Sequence, residues 1–103
     1  MQKNKTKRNG NGHTARSIRI EFANPTASAV AIAGTFNNWS PDSTYMVRLG
    51  DGRWAKDLAL PPGRYEYRLI VDGAWMPDPC ARETAPNPFG EFNSVLKVSS
   101  AQS

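Results

Sequence analysis

Nine acidic residues, one histidine and one cysteine are the groups with which catalysis or metal binding would have to begin in this 103-residue chain. Hydrolysis of a glycosidic bond needs two carboxyl groups at a set separation. The acids do not read as such a pair. Asp51 and Asp72 precede glycines, Asp42 follows a proline and Asp78 sits between two, so turn chemistry accounts for them. His13 lies in a polar N-terminal stretch, and a histidine-based triad or zinc site has no second histidine to draw on. Cys80 alone closes no internal disulfide and builds no metal cluster, which fits a reducing compartment. An enzyme is the weaker reading, and no cofactor is implied.

The aromatic residues offer a different chemistry. Trp54 opens an alternating run in phase with Leu58 and Leu60 and reads as core. Trp39 stands before Ser40-Pro41 and Trp75 just after Asp72-Gly73, where the chain must run near the surface. An indole in such a place either packs over the end of the fold or presents its flat face to a ligand. Asn37, Asn38, Ser40, Arg68 and Asn93 add amide, hydroxyl and guanidinium groups. Flat apolar platforms beside neutral hydrogen-bonding groups suit a ligand with C–H faces and hydroxyl edges, which describes a sugar chain.

Positioning those groups falls to short strands. Ile18, Ile20 and Phe22 alternate with Ser17, Arg19 and Glu21; Val30 and Ile32 alternate with Ala31 and Ala33 up to Gly34. Met46 to Leu49 and Trp54 to Leu60 flank Asp51-Gly52 as a hairpin. In "RYEYRLIVDG", Tyr65, Tyr67, Leu69 and Val71 share one face, while Arg64, Glu66, Arg68 and Ile70 share the other. Asp72-Gly73 turns the chain into "AWMPDP", residues 82–88 read as a loop, and Phe92 to Val98 forms the last strand. About seven short strands with frequent turns predict an all-β, immunoglobulin-like sandwich.

The formal charge of +4 is unevenly spread. Six of the thirteen basic residues fall within the first twenty positions, which hold no acid, so the remainder of the chain is slightly acidic. Residues 1–15 read as a disordered basic tail, residues 16–98 as the sandwich module and residues 99–103 as a C-terminal tail. The basic arm reads first as a solubilising segment and second as a contact for an acidic partner. No apolar leader and no stretch near 20 apolar residues is present, which predicts a cytoplasmic protein with no membrane partner.

Three segments, "VAIAGTFNNWSPD", "ALPPGRYEYRLIVDGAWMPDP" and "FGEFNSVLKV", together resemble the family 48 carbohydrate-binding modules, particularly the glycogen-binding domain of the AMP-activated protein kinase β subunit and isoamylase early-set domains. The resemblance covers roughly residues 16–98 in the same order. It implies a non-catalytic early-set sandwich that binds α-1,4-glucans such as glycogen, maltooligosaccharides or cyclodextrins. By position it implies Trp39 and Trp75 as stacking platforms and Arg68 in place of a sugar-contacting lysine. It also implies Asn93 as a hydrogen-bonding amide and Phe89 in place of an inserted leucine, with Asn38 nearby. Glu91 departs from the pattern by replacing a threonine. One further reading is an adaptor that brings a glycogen-metabolising enzyme to the polymer in trans. The rival reading is an early-set protein-interaction module without significant sugar binding, since fold alone does not fix function. Nucleic-acid binding lacks a basic groove on the body.

Overall fold

The computed structural model describes residues 15–100. The basic tail expected over residues 1–15 therefore lies almost entirely outside the described residues, as does most of the C-terminal tail. Eight strands follow one another: β1 (Arg16–Ala23), β2 (Val30–Gly34), β3 (Val47–Gly50), β4 (Arg53–Leu60), β5 (Gly63–Val71), β6 (Ala74–Met76), β7 (Glu83–Pro86) and β8 (Phe92–Val98). One sheet has the order β1-β4-β3; the other has the order β2-β5-β8-β7, with β6 paired to the C-terminal end of β5, Leu69 to Val71. All pairings are antiparallel. The two sheets face each other as the sandwich that the alternating runs predict.

Between the sheets, Ile20, Phe22, Val30, Ile32, Trp54, Leu58, Leu60, Tyr67, Leu69 and Val98 form one apolar core. Trp54 is 3% exposed, as its phase with Leu58 and Leu60 requires; its indole N–H donates to the Asn24 carbonyl at 3.1 Å, and Arg48 lies 4.5 Å over its ring. The Asp51-Gly52 and Asp72-Gly73 pairs take the positive φ angles that tight hairpins need. Asp72 has a further duty: its Oδ1 accepts from the backbone N–H groups of Ser28 and Ala29.

Three features differ from the sequence reading. The stretch over residues 82–88 contains β7, an edge strand on β8, and an edge position tolerates the missing N–H of Pro86. The strand expected from Met46 is split between sheets. Residues 44–46 pair with β2 through Ile32 N–H to Thr44 O, Met46 N–H to Val30 O and the Ala31–Tyr45 bridge, whereas Val47 onward pairs with β4. Asp78, read as a turn acid, is buried and accepts a 2.6 Å hydrogen bond from the Tyr67 hydroxyl. Burial and that carboxylate together push the Tyr67 phenol well above its ordinary value.

The outer face of the β2-β5-β8-β7 sheet is partly covered by the loop that follows β2. All five residues of β2 are buried, including the outward Ala31 and Ala33, and Ile70 of β5 is buried on that same face. Trp39 packs against this cluster.

Candidate functional site

The loop after β2 places Trp39. Gly34 must pass so close to β5 that a Cβ would lie 2.5 Å from the Glu66 carbonyl oxygen and 2.8 Å from Tyr67 Cβ, so only glycine fits. A 3₁₀ turn, Thr35–Asn37, follows. Asn37 then bolts the loop down: its Oδ1 accepts from Gly34 N–H, and its Nδ2 donates to the Ile32 carbonyl and to Thr44 Oγ1. Asn38 and Trp39 both take left-handed backbone angles, φ 57° and 58°. A bulky side chain there costs roughly 1–2 kcal/mol. The surrounding hydrogen bonds, Trp39 N–H to Gly34 O among them, hold the conformation in place. Asn38 points its backbone through the turn and does not line the groove described next.

The second wall comes from residues 87–91, between β7 and β8. Asn87 Oδ1 accepts from the N–H groups of Phe89 and Glu91, while Asn87 N–H donates to the Glu91 carbonyl. Gly90 supplies φ 82°. This tight turn carries Phe89 at its tip, 86% exposed. In the sequence Asn87 stands between two prolines inside the stretch 82–88 that reads as a loop. Its spacing to Gly90 and Glu91 was the available signal, because Asn side chains cap turns of this kind.

Between the two walls lies a groove of about 600 Å³ lined by Trp39, Arg68 of β5, Trp75 of β6, Asn87, Pro88, Phe89, Glu91 and Asn93 of β8. Two tryptophans remote in sequence thus share one concavity. Trp39 is half-buried and Trp75 is 42% exposed. Of the candidate residues singled out from the sequence, Trp39, Trp75, Arg68, Asn93 and Phe89 meet here, whereas Asn37, Asn38 and Ser40 do not line the groove.

Charge is balanced inside the groove. Arg68 Nη2 lies 2.7 Å from Glu91 Oε1, so the guanidinium contributed by the sheet is met by a carboxylate from the turn. The Arg68 side chain is only 11% exposed, and its Nε has no hydrogen-bond partner among the described residues. Asn93 is buried and braces the wall: it accepts from Asn87 Nδ2 at 3.1 Å and donates to Glu66 Oε1 at 3.0 Å. That bond and the Arg64 guanidinium hold the Glu66 carboxyl below its ordinary value.

A second groove, about 700 Å³, runs along the open side of the sandwich past Arg19 and Glu21 of β1 and Lys97 of β8. It offers charges of both signs and no indole. No group of three or more histidine, cysteine or acidic side chains among the described residues is arranged to hold a metal.

Comparison with known proteins decides the family. The sequence pattern of the glycogen recognition site of AMP-activated protein kinase matches residues 16–103. The chain belongs to this family. Among relatives of this glycogen-recognition domain, rice (Oryza sativa subsp. japonica) Protein FLOURY ENDOSPERM 6, chloroplastic, is 39% identical over 83 residues, covering 81% of this chain and 15% of the relative. Protein PTST homolog 2, chloroplastic, of Arabidopsis thaliana is 37% identical over 73 residues, 65% of this chain and 13% of the relative. The human 5'-AMP-activated protein kinase subunit beta-2 is 33% identical over 69 residues, 67% of this chain and 24% of the relative. The chain therefore spans less than a quarter of the length of each of these proteins.

Proposed function

We propose that the groove between Trp39 and Phe89 binds α-1,4-glucan, with Trp39 and Trp75 as stacking platforms, and that the chain acts as a non-catalytic module that brings a glycogen-metabolising enzyme to the polymer. The observation that carries this reading is the meeting of two partly exposed indoles in one groove whose charged lining residues among those described, Arg68 and Glu91, pair with each other. A neutral, hydroxyl-rich ligand with apolar ring faces matches that surface. Phe89 flanks the ring edge, and Arg68, Asn87 and Asn93 supply hydrogen bonds to hydroxyls.

Of the acids among the described residues, only Glu91 lines the groove, and it is held by Arg68. Hydrolysis by paired carboxyl groups has no second member there. Stacking contributes about 0.5–1.5 kcal/mol per platform and each neutral hydrogen bond about 1 kcal/mol, so affinity should be micromolar or weaker. Cyclodextrins and maltooligosaccharides should serve as soluble ligands.

Native gel migration in the presence of glycogen, amylose or β-cyclodextrin tests the proposal, with cellulose pull-down as the control. Retardation by α-glucans and not by cellulose is expected. Unchanged migration in all three would remove the glucan reading and leave a protein-interaction module as its replacement.

A further inference from the structure

Beside the glucan groove, four residues stand in a row across neighbouring strand segments. Tyr45 bridges Ala31, Ala31 pairs with Ile70, and Ile70 pairs with Trp75. Directly paired residues project to the same face of a sheet, so the row has a shape. Ala31 and Ile70 are 2% and 7% exposed and make a low floor; Tyr45 and Trp75 are 51% and 42% exposed and rise at its ends. Three strand spacings of about 4.8 Å set the two aromatic residues roughly 14 Å apart along the backbone.

The space between them is a trough of about 270 Å³, bounded also by Pro41 and Gly73 and lined by no charged side chain. Trp75 belongs to both concavities, so the trough begins where the glucan groove ends. Neither the Tyr45 hydroxyl nor Trp75 Nε1 makes a hydrogen bond among the described residues. The trough repeats the groove's chemistry on a smaller scale: aromatic end walls, an apolar floor and unused polar tips.

We propose that this trough is an extension subsite that takes the next glucosyl unit of a glucan already seated in the groove, with Tyr45 as a third platform. The inference rests on the glucan reading above. Continuity through Trp75 and the absence of charge favour the same neutral polymer over a peptide as the occupant.

Calorimetric titration of the full chain with maltotriose and with maltoheptaose separates the two ideas. The wild type is expected to bind maltoheptaose more tightly than maltotriose. Tyr45→Ala should weaken maltoheptaose about 3- to 10-fold while leaving maltotriose within about twofold. Tyr45→Phe, which keeps the ring, should preserve the wild-type preference. Because Tyr45 is half exposed, a melting curve within a few degrees of wild type is expected and serves as the folding control. An unchanged maltoheptaose affinity in Tyr45→Ala, an equal loss on both ligands, or a Tyr45→Phe variant as weak as Tyr45→Ala each overturns the subsite. Failure of the wild type to bind either sugar overturns the glucan reading itself.

Discussion

Trp39 and Trp75 share a groove but do different amounts of structural work, and replacing each by alanine should separate binding from stability. Trp39 is half-buried and covers Ala31, Ala33 and Ile70. Taking about 100 Å² of indole surface as held against that floor, at ~25 cal/mol per Å², Trp39→Ala should cost about 2.5 kcal/mol of stability. For a domain of this size, that lowers the melting temperature by roughly 10–20 °C. Trp75 is 42% exposed on a three-residue strand, so Trp75→Ala should cost about 1 kcal/mol, or roughly 4–8 °C. Both variants should weaken β-cyclodextrin binding about 2- to 12-fold when titrated well below either melting point. A third variant probes the backbone. Because Trp39 sits at φ 58°, Trp39→Gly should be more stable than Trp39→Ala, by about 0.5 kcal/mol after the larger unfolded-state entropy of glycine is counted. Thermal melts followed by calorimetry give all three comparisons. If Trp39→Ala melts at the wild-type temperature, or if Trp75→Ala is the less stable of the two, the packing argument for the loop is wrong.

Three further perturbations test individual contacts of the fold and the groove. Glu91→Gln removes the partner of Arg68 and should create measurable binding of a phosphorylated maltooligosaccharide that declines with added salt, while neutral-glucan affinity changes by less than about threefold; equal binding of the phosphorylated sugar by wild type and variant would show that the pair does not set the groove's charge preference. Tyr67→Phe strips the buried Asp78 carboxylate of its 2.6 Å donor and should cost about 1.5–3 kcal/mol in urea unfolding at pH 7. The same phenol gives a signature at alkaline pH. Its folded value lies above 10.0, so below that pH both states are protonated, and as pH rises past it only the unfolded tyrosine ionises, eroding stability by up to about 1.4 kcal/mol per pH unit. Stability of the wild type should therefore fall more steeply than that of Tyr67→Phe between pH 10 and 11, and parallel slopes would contradict the burial argument. Gly34→Ala would drive a methyl into the Glu66 carbonyl and Tyr67 Cβ, and a loss of about 3 kcal/mol is expected by denaturant titration.

Much of this architecture is legible in the residues themselves. Period-2 runs such as Tyr65 to Val71 announce their inner and outer faces, and the Asp-Gly pairs announce their hairpins, because both signals are local. The placement of Trp39 and Trp75 beside turns likewise points to a surface role. What escapes is non-local. Nothing in "VAIAG" says that its outward alanines will be roofed by a tryptophan arriving from the next loop. The crossing of residues 44–46 from one sheet to the other depends on pairing with β2, and the edge strand β7 hides behind a proline-rich composition that reads as loop. Asp78 looks like any acid between prolines until Tyr67, eleven positions earlier, is seen to donate to it. Asn93 reads as a ligand amide, whereas much of its bonding capacity goes to joining Asn87 to Glu66.

The two asparagine clamps, Asn37 under one rim and Asn87 under the other, fasten each rim to its own stretch of backbone and not to the opposite rim. A vessel whose sides are set before anything is poured into it has no closing motion to wait for. If the groove takes glucan as proposed, capture and escape of a passing chain end should then be quick, with repeated short stays along a branching polymer.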